Sequence, residues 1–361
     1  MKKIILFTDS LGAGGAQRQL VGLAKLLKDA GEQVTVLTYY KNEFYAPFLE
    51  ENNVRYNLLE DVRGALKRII KVCKYIRQEK PDVLISYQEV PSLIACIAKV
   101  CNPKIRLIVS ERNTTQVIDK NVKIRFFLYR WADAIVPNSY SQERFIKEHY
   151  PKLMDKVVTV TNFVDIENFD VAKDKTISNK PIIMVAATIF NSKNTLGLID
   201  AVNHIKKEER NFIIKWYGYS EHFETYYNQC MKKIKEYGLA DCIQLLPKTL
   251  RIKECYHSAD YFCLPSFFEG TPNVICEAIS CGLPVLCSDV CDNAFYVHEG
   301  KNGFLFNPKS PESIADAIKR MLLLNETQYV EFSRMSRMIA EEKLSQDVFL
   351  KKYQEVMNRL Q

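Results

Sequence analysis

Twelve short apolar runs, each followed by a stretch of helix length, constrain the fold of this chain more than any other feature. The runs cover residues 4–8, 34–38, 83–86, 107–110, 134–137 and 157–161 in the first half, and 182–187, 212–217, 243–246, 261–265, 284–287 and 303–306 in the second. Runs this short and rich in β-branched residues, with amphipathic segments between them, predict parallel strands covered on both faces. A chain of 361 residues exceeds what one core usually holds, so the pattern predicts two doubly wound, Rossmann-like α/β domains. The expected boundaries are 1–165 and 178–345, with a polar stretch lacking an apolar period at 165–180. Residues 346–361 read as a closing amphipathic helix, placed to pack back on the first domain. Ligands of such sheets sit beyond the C-terminal strand ends, so two domains facing across a cleft suit a two-substrate enzyme.

Hydrophobic residues at 47% and charged residues at 26% exclude a disordered, collagenous or coiled-coil chain. No apolar run approaches the roughly 18–20 residues that span a bilayer. The start, Met1-Lys2-Lys3-Ile4-Ile5-Leu6-Phe7-Thr8-Asp9, reads as a buried first strand and not as a secretory leader. The eleven cysteines are odd in number, scattered and without a C-x-x-C pair, which predicts reduced thiols, a reducing compartment and no metal site. The net charge of +7 is uneven: residues 1–165 carry 26 Lys and Arg against 18 Asp and Glu, while the remainder is near neutral. An acidic partner is therefore expected for the first half, either a phosphorylated substrate or an anionic membrane surface.

Two strand-to-helix junctions carry the candidate chemistry. In the first, Thr8-Asp9 runs into Leu11-Gly12-Ala13-Gly14-Gly15-Ala16 ahead of a helix. These glycines either make a tight turn or let the backbone approach an anion or a sugar. The third glycine of a dinucleotide fingerprint is missing. In the second, Ser266-Phe267-Phe268-Glu269-Gly270-Thr271-Pro272-Asn273-Val274-Ile275-Cys276-Glu277 follows the 261–265 run. Glu269 falls in the turn and Glu277 eight residues later on the helix. Carboxylates accept hydrogen bonds from neutral diols, and the N–H groups of such a turn bind anions or hydroxyls.

This string, together with Gly282-Leu283-Pro284-Val285, Asn302-Gly303-Phe304-Leu305, Trp131-Ala132-Asp133-Ala134-Ile135-Val136, Asn162-Phe163-Val164-Asp165 and Gly14-Gly15-Ala16, resembles glycosyltransferase family 4. The resemblance spans nearly the whole chain and implies the GT-B fold and a retaining sugar transferase of surface-polysaccharide assembly. It implies that Glu277 holds the ribose of a nucleotide donor. Glu269 and the turn Gly270, Thr271, Pro272 and Asn273 would hold the transferred sugar. Lys193 would neutralise the donor diphosphate as the leaving group gains charge. Val274, Thr188, Gly14 and Gly15 complete the implied donor contacts. Glu111 is a further candidate catalytic group, with Arg112 and Asn113 on the acceptor side.

The family's arginine partner of that lysine is missing here, where Thr188 and Phe190 stand, so Arg18 or Arg112 would have to compensate. Ser110-Glu111-Arg112-Asn113 occupies the place of a histidine carried by many relatives. No D-x-D triplet occurs, and a metal-independent reaction with a nucleotide sugar as co-substrate and no further cofactor is expected.

Residues 62–80 and 120–131 hold much of the positive charge. Leu66, Ile69, Ile70, Cys73 and Ile76 fall on one helical face, while Arg63, Lys67, Lys71, Lys74 and Arg77 crowd the others. In the second segment Lys123, Arg125 and Arg130 mix with Phe126, Phe127, Tyr129 and Trp131. Each is either a solvated face over a buried stripe or a docking site for an anionic membrane. Nucleic acid is not expected, because the aromatics lie with the apolar faces. The resulting expectation is a cytoplasmic enzyme, peripheral on the inner face of the cytoplasmic membrane. It would pass a sugar from a UDP-sugar to a hydroxyl of a lipid-linked saccharide in bacterial capsule, exopolysaccharide or lipopolysaccharide synthesis. The alternative is a non-catalytic GT-B partner subunit that binds sugar or lipid and activates another transferase.

Overall fold

Ile4, Ile5, Leu6 and Phe7 are wholly shielded from solvent, as the central strand of a parallel sheet requires. The computed structural model describes residues 1–60, 62–112, 114–115, 117–173 and 175–359. The chain forms two units, Met1–Asn162 with Gln346–Gln361, and Phe163–Ser345. The first unit alternates β1 (Lys3–Phe7), α1 (Gly15–Asp29), β2 (Gln33–Thr38), α2 (Ala46–Glu51), β3 (Arg55–Leu58), α3 (Ala65–Glu79), β4 (Val83–Tyr87), α4 (Glu89–Cys101), β5 (Arg106–Glu111), α5 (Lys120–Leu128), β6 (Ala134–Pro137) and α6 (Tyr140–His149). All strands pair in parallel, in the order β3-β2-β1-β4-β5-β6. The edge strand β3, Arg55-Tyr56-Asn57-Leu58, replaces one of the expected runs. It is polar because an edge strand has one open side. The 157–161 run is extended beside β6 but bonds to it only through the N–H groups of Val158 and Val160, with a single bridge at Val157, and makes no named strand.

The second unit repeats the pattern with β7 (Ile182–Ala186), α7 (Thr195–His204), β8 (Ile213–Tyr219), α8 (Glu224–Glu236), β9 (Ile243–Pro247), α9 (Ile252–Ser258), β10 (Tyr261–Leu264), α10 (Asn273–Ser280), β11 (Val285–Ser288), α11 (Asn293–Tyr296), β12 (Gly303–Phe306), α12 (Pro311–Leu322) and α13 (Glu326–Leu344). Its order, β12-β11-β10-β7-β8-β9, is the same topology read from the other edge. The polar 165–180 stretch is no free tether. Arg337 on α13 donates to the carbonyls of Ile166 (2.9 Å), Phe169 (3.1 Å) and Ser280 (2.8 Å), which fixes this segment to the second unit.

The chain then returns to the first unit as α14 (Gln346–Arg359), burying Phe349, Tyr353, Val356 and Met357. The hydroxyl of Tyr353 lies 2.8 Å from that of Tyr87 at the end of β4, and Arg112 donates to both, at 2.6 and 2.7 Å. Arg112 also reaches Asn162 Oδ1 at 2.8 Å. One guanidinium thus holds the end of the first unit's main segment and the returning helix.

Among the basic segments, α3 buries Val72 and Ile76, with Ile69 and Cys73 half-buried. Leu66 and Ile70, expected on that same inward face, point outward instead, Leu66 being 72% exposed. On α5, Phe126 is buried, but Ile124 and Phe127 face solvent, with the Arg130 guanidinium 4.0 Å from the Phe127 ring centroid. Among the described residues no helix is long and apolar enough to cross a membrane.

The Arg112 junction yields the first prediction. Tyr353→Ala is expected to cost about 3–5 kcal/mol, the usual loss for deleting a buried aromatic. Tyr353→Phe, which removes only the hydroxyl beside a cation, is expected to cost about 1.5–3 kcal/mol. Urea unfolding followed by circular dichroism reads both, and a Tyr353→Phe midpoint equal to the parent's would show that the hydroxyl network contributes nothing.

Candidate active site

In the second unit β7 and β10 are neighbours from which the sheet is built outward in opposite directions, so their following loops diverge and leave a crevice at the C-terminal edge. The β7 loop, 187–193, is drawn down onto β8. There Trp216 Nε1 donates to the Ala187 carbonyl at 2.7 Å, and a Cβ at Gly218 would collide with that same carbonyl. Gly218 is thus required by close backbone approach. Across the crevice the β10 loop runs from Pro265 to Pro272. Two contacts join the loops: Phe267 N–H to the Ser192 carbonyl at 3.0 Å, and Lys193 Nζ to Glu269 Oε1 at 2.5 Å. Both side chains of the ion pair remain partly open to solvent. Two residues far apart in sequence, Glu269 singled out by its strand-end string and Lys193 by the family resemblance, therefore meet at the sheet's switch point.

Gly270, Thr271 and Pro272 lead into α10, which starts at Asn273 without a side-chain cap. The N–H groups of its first turn, Asn273 and Val274 among them, lie at the positive end of the helix dipole. Glu277 projects from the same helix, 4% exposed, and accepts a hydrogen bond from the Tyr256 hydroxyl at 2.9 Å. Thr188 is half-buried in the β7 loop. Ser266, the first residue of the quoted string but given no role there, lies in the loop after β10 fully buried, and its hydroxyl has no partner among the described residues. A buried polar atom left open beside Glu269 is a further place for a ligand to bond.

The first unit treats its candidates differently. Glu111, at the end of β5, is 2% exposed and receives the Tyr129 hydroxyl, while Arg125 Nη2 lies 3.7 Å from its second oxygen. Arg125 also bonds Glu89 and, at 2.8 Å, Thr115 Oγ1. Burial pushes the Glu111 carboxyl above the ordinary carboxylate range, with Arg125 and Tyr129 opposing and Glu89 adding to the rise. An acid so enclosed is joined through Arg125 to the loop after β5, and its Oε2 has no hydrogen-bond partner among the described residues. Arg112 is likewise committed, to Tyr87, Tyr353 and Asn162. Asn113 lies outside the described residues. The Gln17 side chain folds back over Gly14, its Oε1 near where a Cβ would stand, and Gly15 opens α1.

A residue with no sequence signal stands at the switch point of this first sheet, between β1 and β4. Gln88 has φ 73° and ψ 166°, a region that glycine alone populates freely. Such a backbone costs a side-chain-bearing residue on the order of 1–3 kcal/mol. Among the described residues no group of three or more His, Cys, Asp or Glu is arranged to hold a metal.

Comparison with known proteins agrees with this arrangement. The family model described as Glycosyltransferase Family 4 matches residues 13–168, and that described as Glycosyl transferases group 1 matches residues 167–337. The chain joins a family 4 glycosyltransferase domain to a group 1 glycosyl transferase domain. Among curated relatives of the glycosyltransferase is a Campylobacter jejuni enzyme, 26% identical over 91% of this chain and 90% of its own. It is named GalNAc-α-(1→4)-GalNAc-α-(1→3)-diNAcBac-PP-undecaprenol α-1,4-N-acetyl-D-galactosaminyltransferase. An Escherichia coli UDP-Gal:α-D-GlcNAc-diphosphoundecaprenol α-1,3-galactosyltransferase is 25% identical over 82% of this chain and 79% of its own. Among solved structures, a Rickettsia africae glycosyltransferase superposes with a TM-score of 0.87 at 17% identity, covering 99% of this chain and 98% of its own. Anabaena HepE, solved with UDP and glucose, gives 0.85 at 18% identity, covering 99% and 100%. The fold is that of the GT-B glycosyltransferases.

The enclosed acid of the glycosyltransferase gives the second prediction. Folded Glu111 holds its proton more tightly than in the unfolded chain, where the carboxyl has its ordinary value of 4.5. Its contribution to stability is therefore fully present below that value and is lost as pH rises through the folded value. Thermal melts of the parent and of Glu111→Gln across that range should show the parent losing ground to the variant as pH rises. A difference between the two that stays flat with pH would refute the assignment.

Proposed function

We propose that this glycosyltransferase transfers a sugar, with retention of anomeric configuration, from a UDP-sugar to a hydroxyl of a lipid-linked saccharide in bacterial surface-polysaccharide synthesis. The observation that carries the reading is the Lys193–Glu269 pair spanning the switch point of the second sheet. The two side chains neutralise one another across the crevice. A donor diphosphate competes for Lys193, frees the Glu269 carboxylate to accept hydrogen bonds from sugar hydroxyls, and has its leaving charge stabilised by the same lysine. Glu277 takes the ribose hydroxyls and the first-turn N–H groups of α10 the transferred sugar or phosphate. No metal is needed in this scheme, because a lysine and backbone dipoles meet the charge. Arg112, bonded to three neutral groups of the first unit, keeps its positive charge and is with Arg18 a candidate for the missing second cation.

The donor belongs to the second unit and the acceptor to the first, whose basic surface suits a diphosphate-linked lipid carrier. Leu66, Ile70, Ile124 and Phe127, exposed among Arg63, Lys67, Lys123 and Arg130, have the composition of a peripheral docking face on the cytoplasmic side of an anionic membrane. The relatives named for undecaprenyl-diphosphate saccharides support that acceptor class.

Thermal melting against a panel of nucleotides tests the donor assignment. A ligand at a hundredfold excess over Kd stabilises the folded protein by about 2.7 kcal/mol. A shift with UDP, absent with ADP and GDP, is expected. Glu277→Ala should abolish most of that shift, whereas Lys193→Ala should mainly lower turnover. No shift with any nucleotide in folded protein would favour the non-catalytic partner subunit.

A further inference from the structure

The strands of the first sheet begin at the edge opposite the one that doubly wound sheets use for substrates. There a recess of about 780 Å³ opens between the ends of α3 and α4, walled by the turns 80–82 and 102–105. Arg77 enters it from the last turn of α3, Lys80 ends that helix, Lys104 lies in the turn before β5, and Arg106 opens β5. None of these four side chains has an ion-pair or hydrogen-bond partner among the described residues. Neighbouring charges, by contrast, are matched. Lys3 pairs with Glu79 at 2.8 Å, and Lys99 with Asp133 at 2.8 Å. Lys2, also on the wall, has its Nζ 2.9 Å from Asn358 Oδ1 and gives its backbone N–H to the Glu32 carboxylate. Among the described residues Asp82 is the only acid of the lining, and its Oδ2 accepts the Lys3 N–H at 2.7 Å.

Cations at helix C-termini commonly answer the helix dipole, and two helices end here. The magnitudes show that this accounts for only part of the charge. Each helix end is equivalent to about half a negative charge, so the two offset about one of the four cations. Asp82 offsets a second. A surplus of about two positive charges remains, which matches the roughly −1.5 to −2 that a phosphomonoester carries at neutral pH. The position separates this charge from the transfer chemistry. β1 and β4 are five residues long, about 17 Å, and run from this edge to the one where substrates are expected.

We propose that Arg77, Lys80, Lys104 and Arg106 form a binding site for a phosphomonoester that is not a substrate of the transfer. The two guanidinium groups offer paired N–H donors to phosphate oxygens, and the two lysines add point charges. The phosphoryl group belongs either to a soluble metabolite or to the headgroup of phosphatidic acid, and the test separates these sources.

The soluble arm is calorimetric titration of the full chain with glycerol 3-phosphate at fixed ionic strength. The lipid arm is co-sedimentation with phosphatidylcholine vesicles, with and without phosphatidic acid. Saturable binding in the first arm, weakened about fivefold by each of Lys80→Gly, Lys104→Gln and Arg106→Gln and unchanged by Lys193→Ala, is expected for a soluble ligand. Sedimentation that requires phosphatidic acid and falls in the same three variants would assign the phosphoryl group to the lipid. Lys80→Gly guards against misfolding, because residue 80 ends α3 at φ 48°, where glycine is favoured. That variant should melt no lower than the parent while still losing affinity. Absence of binding in both arms, or binding that all three substitutions leave intact, would overturn the site. Binding of glycerol 3-phosphate lost only in Lys193→Ala would place the anion in the donor crevice and overturn it equally.

Discussion

The Lys193–Glu269 pair exists because β7 and β10 are neighbours whose loops leave the sheet in opposite directions. A parallel sheet covered on both faces must carry its connections across as helices, and reversing the winding direction leaves one gap between adjacent loops. In the second unit that gap falls between Ala187–Lys193 of one loop and Pro265–Pro272 of the other. Gly218 and Trp216 press the first loop down, and the backbone bond from Phe267 to Ser192 sets the spacing. The charge pair then closes between residues whose order in the chain gives no hint of proximity. The same winding, repeated in the first unit, brings the end of β1 and the start of α4 together around Gln88.

The strand–helix alternation was legible because central strands of covered sheets are continuous apolar runs, and eleven of the twelve expected runs lie on named strands. The failures have a common cause. β3 is an edge strand with one solvated side, so Arg55 and Asn57 mask it. The 157–161 run is apolar because it is buried at the edge of the sheet, not because it is part of a ladder. The turn of Glu269 and the helix of Glu277 were legible for a different reason, since unusual polar chemistry at a strand end has few structural uses. What no pattern could give was orientation. Leu66 and Ile70 share helical spacing with Ile76, but Leu66 and Ile70 face solvent while Val72 and Ile76 are buried, with Ile69 and Cys73 packed beside them. Gln88 carries no sequence mark at all, because its significance is a backbone angle.

The residues following Ser110 show how composition misleads at a site. Glu111 and Arg112 sit at a strand end, where ligands are expected, and both have side chains suited to acid–base or anion chemistry. Each also makes structural contacts within the first unit. Glu111 closes a buried set with Tyr129 and Arg125. Arg112 stacks on Tyr87, 4.3 Å from its ring centroid, and holds Asn162 and Tyr353. The fold spends an arginine there because the chain leaves the first unit after Asn162 and re-enters it at Gln346, and two separate segments must be fastened at one place.

Two ion pairs with different surroundings therefore have different uses. Arg125 and Glu111 are 4% and 2% exposed, so separating them would strand a buried charge. Breaking a buried pair in that way costs about 3–5 kcal/mol, more than a weakly bound substrate returns. Lys193 and Glu269 are 28% and 14% exposed, and water reaches both. A partly exposed pair is screened by that water and loses less when exchanged than a buried one. On the proposed donor scheme an incoming diphosphate would bring more negative charge to Lys193 than the single carboxylate it displaces, and the freed carboxylate would stay solvated or meet a hydroxyl. Burial is thus what separates the pair that holds a loop in place from the pair that a ligand can open.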